Sequence, residues 1–383
     1  MTKVIVIGNV YLERYYEKYL FIDDLEKEKI HYEYWNFSPL LDRERPKIYE
    51  KGIYNKERIF YTEDEVLREL DNLDERSIII KDEYFKKKLY NIYIKLLKKK
   101  LKIIILSRKN IPTKVKWFKN LKIVKRFYIP SPMIILKEIL DKEKKKIKAT
   151  RSLVKYYEFL NRDKIFVLYS GEKSLTREYR AIKNLIPIKS FDYENYIFLN
   201  KEKIERKITF IDQNLPDHPD FKIFKQKTID RKNYYLKLNN FFKIVEKKFD
   251  VEVVIAAHPK SQYDNSLFCG RRIVSGNTIN EVKKNQMVIT SFSTAVGVAT
   301  IENKKIFLIK TSDFSEQMEA DIHLFSSVLG VPIFNIDENI DEKKLDFKIN
   351  EKKYKKYKKD YLYAGKNIKS NFKILKEIIN GEI

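Results

Sequence analysis

Cysteine and glycine are scarce in this sequence, and long apolar runs are missing. The single cysteine, Cys269, excludes an internal disulfide framework and a zinc site built from cysteines. The 9 glycines include Gly8 after an apolar run, but its loop does not form the G-x-G-x-x-G fingerprint, and the sequence has no Walker A motif. No apolar run approaches the roughly 18 residues of a transmembrane helix. Residues 1–8 also lack the cationic region and long apolar stretch of a signal peptide, so we expect a cytoplasmic protein.

The composition indicates a folded protein with an anionic partner. Hydrophobic residues make up 43% of the chain, enough for hydrophobic cores, and 383 residues predict two domains. Lys and Arg number 79 against 54 Asp and Glu, so the formal net charge is +25. This excess favours nucleic acid, an anionic membrane face or an acidic substrate as partner, although nucleotide bias in the source genome would also enrich lysine. No nucleic-acid recognition module is visible in the sequence.

Short apolar runs alternate with helical periods through the first half of the chain. The runs predict strands at residues 4–7, 77–80, 103–106, 121–124 and 164–169. Between them, the spacing of apolar residues predicts helices at residues 64–73 and 82–100, the second capped by Asp82. This alternation predicts an α/β fold with a largely parallel sheet.

The same alternation restarts after a charged segment at residues 200–207, which we interpret as the interdomain linker. Apolar runs predict strands at residues 208–211, 253–257, 272–274, 287–290, 305–309 and 331–334. A long helical period covers residues 234–249, and a capping box from Thr278 to Glu281 predicts a short helix. We therefore expect domains at residues 1–200 and 207–350, followed by a basic helical tail at residues 351–383 that crosses back to the first domain.

Hydroxyl side chains follow the predicted strand at residues 287–290. Ser291, Ser293 and Thr294 are natural N-cap residues for a helix at residues 295–301. A hydroxyl-rich loop between a strand and a helix favours an anion, because free backbone N–H groups and the helix dipole both attract negative charge. The alternative is that these residues are only helix caps.

A second polar segment, His258-Pro259-Lys260, follows the predicted strand at residues 253–257. In an open α/β sheet the carboxyl ends of neighbouring strands share one crevice. We therefore expect His258 to face the same phosphate as Ser293 and Thr294, with Pro259, Lys260 and Ser291 also at this nucleotide-binding site. The alternative is an ordinary turn, with His258 at the end of a strand.

Three carboxylates surround His218 after the strand at residues 208–211. Asp212, Asp217 and Asp220 lie at the carboxyl end of this strand, where a general base would reach the crevice. A solvated turn is the alternative, because aspartate and proline are ordinary turn residues. A metal site built from this group is the less favoured alternative, because no Asp-x-Asp pair sits at a suitable strand end.

The carboxyl-terminal half resembles that of bacterial sialyltransferases and related capsule or lipooligosaccharide glycosyltransferases of the GT-B architecture. The resemblance covers residues 208–311 and rests on His258-Pro259 and Ser293-Thr294. It implies two Rossmann-like domains that face a central cleft, and contacts from both motifs to the nucleotide monophosphate of a CMP-activated sugar. It also implies metal-independent catalysis. The family's acidic-acidic-glycine motif is not matched, because Tyr169-Ser170-Gly171-Glu172 has a different order.

These observations lead to one main hypothesis and two alternatives. The main hypothesis is an inverting transfer of a CMP-activated acidic sugar, of the sialic acid, other nonulosonic acid or Kdo type, to a bacterial glycan or glycolipid. Asp217 or Asp212 would deprotonate the acceptor while His258 contacts the leaving phosphate. One alternative is a GT-B transferase that uses a nucleoside diphosphate sugar. The other is a non-catalytic basic protein that binds nucleic acid or membrane. For an enzyme, peripheral contact with an anionic inner membrane face is a further expectation.

Overall fold

The computed structural model describes residues 2–12, 14–41, 56–82, 87–108, 111–112, 154–176, 179–200, 203–217, 229–258, 261, 263, 265–366 and 369–383. In these ranges the chain forms two separate parallel sheets, one in each half. The predicted strand at residues 121–124 lies outside the described residues.

The first sheet has seven parallel strands in the order β3-β2-β1-β4-β5-β6-β7. Its strands are β1 Val4–Gly8, β2 Tyr32–Asn36, β3 Glu57–Ile59, β4 Ile78–Asp82, β5 Lys102–Ser107, β6 Ile165–Tyr169 and β7 Asn184–Pro187. The helices in this part of the chain are α1 Arg14–Tyr19, α2 Ile22–Lys27, α3 Ser38–Leu41, α4 Glu63–Asp71 and α5 Tyr90–Lys98, and residues 154–160 are also helical. Apolar cores cover both faces, which explains why β1, β4, β5 and β6 contain continuous apolar runs.

The second sheet has six parallel strands in the order β10-β9-β8-β11-β12-β13. Its strands are β8 Glu205–Ile211, β9 Glu252–Ala257, β10 Ile273–Ser275, β11 Asn285–Thr290, β12 Lys305–Lys310 and β13 Ile333–Asn335. The remaining helices are α6 Phe191–Ile197, α7 Arg231–Phe249, α8 Thr278–Lys284, α9 Val296–Ile301, α10 Glu316–Leu329, α11 Glu351–Tyr357 and α12 Asn371–Asn380.

Both sheets share one connectivity. If the strands of each half are numbered from one, the order begins 3-2-1-4-5-6 in both, which is the order of the Rossmann fold. In each sheet the second and third strands lie on one side of the first strand, and the fourth and later strands lie on its other side. The expected α/β fold class, with two Rossmann-like halves as in GT-B enzymes, is confirmed.

The two halves exchange helices. Helix α6 precedes the second sheet in sequence, but it packs against α8 and α9 of the second half. The carboxyl-terminal helix α12 packs on the first half instead. Its side chains Ile374, Leu375 and Ile378 are buried in a core of the first sheet. The Lys102 side chain donates a hydrogen bond of 2.7 Å to the carbonyl of Ile378. In the structure the tail contains helices α11 and α12, and α12 returns to the first half.

Three local predictions were wrong. Asp82 is the last residue of β4, and a short 3₁₀ turn at Lys87–Leu89 precedes helix α5, so Asp82 does not cap that helix. Strand β8 already begins at Glu205, inside the predicted linker, because the charged side chains at its amino end remain accessible to solvent and form ion pairs. Glu281 completes no capping box, since its carboxylate binds the guanidinium of Arg272 at 3.0 Å.

Candidate functional site

The second sheet has a topological switch point between β8 and β11. These adjacent strands end at Ile211 and Thr290. After β8 the chain continues to β9 toward one edge of the sheet, and after β11 it continues to β12 toward the other edge. Strand β9 flanks β8 on the other side and ends at Ala257. Ligands of open α/β sheets bind in the crevice at the carboxyl ends of such strands. The loops that follow these three strands therefore form the candidate site.

Gln213 joins two of these loops, although the sequence analysis did not single it out. Its side-chain nitrogen donates a hydrogen bond of 2.8 Å to the Thr290 hydroxyl. Its side-chain oxygen accepts one of 3.1 Å from the backbone N–H of Phe292. The Gln213 amide thus fixes the start of the loop after β11 against the end of β8.

The hydroxyl residues after β11 have three different roles. The Ser291 hydroxyl is buried and donates to the carbonyl of Ile309 at 2.8 Å, so it joins β11 to β12. Ser293 is half-buried and accepts a hydrogen bond of 3.3 Å from the N–H of Ala295. Thr294, also half-buried, lies near the carboxylate of Asp192. Ser293 and Thr294 are therefore the members of this group nearest to solvent.

The helix after this loop differs from the expectation. Helix α9 begins at Val296 and has Ala295 at its N-cap, where no side chain accepts a hydrogen bond. The predicted helix-capping role of the three hydroxyl residues was therefore wrong, because the loop continues to Ala295. The helix has only six residues. We therefore do not attribute anion binding at the candidate site to the dipole of this helix.

His258 directly follows β9 and is half-buried. Its carbonyl accepts hydrogen bonds from the backbone N–H and the hydroxyl of Ser261, at 3.0 and 2.6 Å. Its own backbone N–H is directed at the carboxylate of Asp212. The structure thus brings His258 next to the end of β8, while Pro259 and Lys260 lie outside the described residues.

Asp212 is a buried carboxylate in the centre of the crevice. Only 3% of its surface is exposed, and one carboxylate oxygen accepts a hydrogen bond from the Tyr263 hydroxyl. Burial raises the pKa of Asp212 to about 6, and the hydrogen bonds from Tyr263 and nearby backbone N–H groups offset part of that effect. A carboxylate in this environment titrates close to neutral pH.

Asp217 lies in a different environment from Asp212. It ends a short 3₁₀ turn at Leu215–Asp217, is exposed, and forms a 2.9 Å ion pair with Arg231 at the start of helix α7. His218 and Asp220 lie outside the described residues. Within the described part of the chain, no group of three or more His, Cys, Asp or Glu side chains is placed to hold a metal ion.

Asp192 is a buried carboxylate near the loop after β11 that the sequence analysis did not single out. It belongs to α6, about a hundred residues before Thr294 in sequence, and is buried with 8% of its surface exposed. Its contact with Thr294 arises only because α6 packs on the second half of the chain. A single aspartate in the first turn of a short helix gives no sequence signal for this role.

The segment Tyr169-Ser170-Gly171-Glu172 is enclosed by the tail. A side chain at Gly171 would meet the backbone oxygen of Asp360 at 2.4 Å. The backbone N–H of Ala364 donates a hydrogen bond of 3.0 Å to the Ser170 carbonyl. This strand end therefore anchors the tail to the first half. Among the described residues, no helix is both long and apolar enough to cross a membrane.

Comparisons with known proteins identify similar solved structures. No family model matches the chain, and no curated protein matches it. Acinetobacter baumannii MurG is 7% identical, with 90% of this chain and 89% of that chain covered and a TM-score of 0.44. The wall teichoic acid polymerase TagF is 12% identical, with coverages of 98% and 87% and a TM-score of 0.45. The UDP-GlcNAc 2-epimerase of Methanocaldococcus jannaschii is 11% identical over 100% of both chains, with a TM-score of 0.45.

Proposed function

We propose that this chain is a glycosyltransferase that moves a sugar from a nucleotide-activated donor to a glycan acceptor. The observation that carries the proposal is the convergence of three loops at the switch point of the second sheet. His258, Gln213 and the Ser293-Thr294 pair lie on these loops, at the place where open α/β sheets bind nucleotides.

In the proposed reaction, the donor phosphate lies against Ser293 and Thr294. His258 donates a hydrogen bond to the same phosphate as the bond to the sugar breaks and negative charge builds on the leaving group. Donors already in place for this charge lower the barrier without reorganisation. A carboxylate takes the proton of the acceptor hydroxyl, and Asp217 and Asp212 are the candidates. Asp217 is exposed, whereas Asp212 is buried with a pKa of about 6 and is therefore largely ionised at neutral pH.

Nucleoside diphosphate sugars are the donors to test first. Two of the similar solved structures are described as complexes with UDP, and one of these also contains UDP-GlcNAc. A CMP-activated acidic sugar is the second donor class, supported by the His258-Pro259 and Ser293-Thr294 motifs. We propose a bacterial surface polysaccharide or glycolipid as the acceptor in either case. The formal net charge of +25 suits a lipid-linked acceptor at an anionic membrane face.

A thermal-shift screen with UDP, GDP, CMP and their sugars tests the proposal. A nucleotide present at about 100 times its dissociation constant stabilises the folded protein by roughly 2.7 kcal/mol. Stabilisation by at least one nucleotide is the expected result. A protein that binds DNA with strong salt dependence but binds none of these nucleotides would be a basic binding protein instead.

His258→Ala tests the catalytic part of the proposal. Losing one fixed donor to developing charge lowers turnover about a hundred- to thousandfold, while the fold persists. The matched control is His323→Ala, because His323 is a largely exposed residue of helix α10. Asp217→Asn is expected to abolish transfer and leave nucleotide affinity unchanged, since a base acts on the acceptor. Wild-type turnover and affinity in the His258 variant would refute the assignment of the phosphate site.

A further inference from the structure

The helix at residues 154–160 is attached to the first half along one side. The Asn161 side chain donates a hydrogen bond of 2.9 Å to the carbonyl of Leu97 in α5. The Tyr93 hydroxyl, also in α5, donates one of 2.9 Å to the carboxylate of Glu158. These contacts fix which side of the helix is turned toward the protein and which side is turned toward solvent.

The solvent side of this helix exposes three large apolar side chains. Tyr156, Phe159 and Leu160 are three or four positions apart in sequence, so they lie on one face of the helix. Their exposed fractions are 57%, 64% and 56%. Single exposed apolar residues are common on protein surfaces, but a contiguous group of large ones marks an interaction site.

Basic side chains surround this apolar group. The exposed cations in residues 154–164 and at the end of α5 are Lys98, Lys155, Arg162 and Lys164. The Arg162 guanidinium lies 5.1 Å from the centre of the Phe159 ring, and the Lys98 ammonium lies 5.5 Å from the centre of the Tyr157 ring. We call the three exposed apolar and four basic side chains the basic apolar face.

The acids of this segment do not neutralise the basic apolar face. Residues 154–164 contain two acids, Glu158 and Asp163. Asp163 is already paired with Lys183, at 2.7 Å. Glu158 is half-buried and accepts the hydrogen bond from Tyr93. The face therefore carries a net positive charge at neutral pH, and an anionic surface is its electrostatic complement.

We propose that the basic apolar face docks this protein on an anionic lipid bilayer. The three apolar side chains insert at the boundary between headgroups and acyl chains, and the four cations contact the lipid phosphates. A protein partner fits the face less well. One side of a stable protein interface buries roughly 800 Å², more than three side chains on one short helix offer. This inference goes beyond the proposed function, and neither depends on the other.

The basic apolar face does not overlap the candidate site. Lys164 directly precedes β6, and its side chain donates a hydrogen bond of 2.8 Å to the carbonyl of Lys100, shortly before β5. The face thus lies at the amino ends of two strands of the first sheet. The candidate site lies at the carboxyl ends of strands in the second sheet. Changes in the face should therefore leave nucleotide affinity unchanged.

Co-sedimentation with vesicles tests the inference. One set contains equal parts of phosphatidylglycerol and phosphatidylcholine, and the other contains phosphatidylcholine alone. Replacing both Phe159 and Leu160 by alanine should lower the partition coefficient on anionic vesicles about tenfold or more, because little apolar area is left to insert. Lys155→Glu together with Arg162→Glu should also lower it about tenfold or more. The control is Leu236→Ala, an equally exposed position (58%) on α7, which should bind like wild type.

Phe159→Trp adds a local probe that keeps the position apolar, so it serves even if the double alanine variant does not fold. Its emission should shift to the blue on anionic vesicles and be quenched by lipids with brominated acyl chains. Leu236→Trp is the matched control and should show neither change. The two native tryptophans contribute the same background to both variants.

Three results would overturn the inference. They are absence of wild-type binding to anionic vesicles, unchanged emission of Phe159→Trp on vesicles that wild type binds, and wild-type partitioning of the double alanine variant. A dimer in solution that the double alanine variant converts to a monomer, without vesicle binding, would make the face a contact between copies of this chain instead. Nucleotide titration of wild type decides separately on the proposed function.

Discussion

The buried carboxyl of Asp212 makes the stability of the second half depend on pH in a direction unusual for an aspartate. Most aspartates in folded proteins have a lowered pKa and stabilise the fold above that pKa. Burial instead raises the pKa of Asp212 from 3.8 to about 6. Between these two pH values the folded chain holds this proton more tightly than the unfolded chain does. The contribution of Asp212 is therefore most favourable below about pH 3.8 and is lost as the pH rises to about 6.

The size of this effect follows from the two pKa values. A tenfold difference in proton affinity corresponds to about 1.4 kcal/mol. The rise from 3.8 to about 6 therefore makes the folded state less stable by about 3 kcal/mol at pH 7 than an unperturbed carboxyl would. Asp212→Asn removes the titration and keeps an oxygen that can accept the hydrogen bond from Tyr263. The amide also carries a cost of its own beside the nearby backbone N–H groups, but that cost does not vary with pH.

The measurement compares thermal unfolding of wild type and Asp212→Asn from about pH 4 to about pH 7.5. We expect the stability difference to shift in favour of the variant by about 2.4 kcal/mol across this interval, most of it below about pH 6.5, because at pH 4 part of the effect is already lost. For a unit the size of the second half, this corresponds to roughly 5–10 °C in the melting temperature. All other carboxyls titrate equally in both proteins and cancel. A difference that stays constant with pH would refute the reasoning about the buried carboxyl.

Three further predictions test the fold, the site and the membrane expectation. Leu375→Ala in helix α12 should destabilise the first half by about 2–5 kcal/mol in denaturant unfolding, because this side chain is fully buried, whereas Lys373→Ala on the exposed face should change little. Gln213→Ala should cost about 1–3 kcal/mol, because it leaves the Thr290 hydroxyl and the Phe292 N–H without their partner; unchanged stability and nucleotide affinity would contradict the bridging role. In flotation assays the protein should bind anionic liposomes at low salt and release them at high salt, and equal binding to neutral liposomes would contradict the electrostatic account.

The central strands of both sheets could be predicted from sequence because they are buried on both faces. Apolar runs such as residues 253–257 in β9 and 287–290 in β11 mark their positions. Strands β2, β3 and β7 were not predicted, because polar or charged side chains interrupt their apolar residues. The prediction that His258 and Ser293 face one phosphate followed from the carboxyl-end rule, and it stays a prediction. The structure adds that β8 lies between β9 and β11, the strands that precede these two loops. Asp212, which follows β8, therefore lies between the loops.

The remaining features depended on long-range packing that no local pattern encodes. Asp192 reaches Thr294 only because helix α6 crosses to the second half. Ser291 resembles its neighbours in sequence, yet its hydroxyl is used by Ile309 on the adjacent strand. Glu281 occupies a capping-box position but pairs with Arg272. In each case a partner distant in sequence determines what the side chain does.

Three carboxylates around the candidate site differ in environment, and this difference assigns their chemistry. Asp217 is exposed to solvent and forms an ion pair with Arg231. Asp212 is buried, one of its carboxylate oxygens accepts a hydrogen bond from Tyr263, and its pKa is about 6. Burial also raises the pKa of Asp192, and its Oδ2 atom has no hydrogen-bond partner among the described residues. Different environments give similar carboxyl groups different pKa values. The pKa then decides whether a group acts as a base or as a hydrogen-bond donor. Asp217 and Asp212 are the candidates that we propose for accepting the proton of an acceptor hydroxyl.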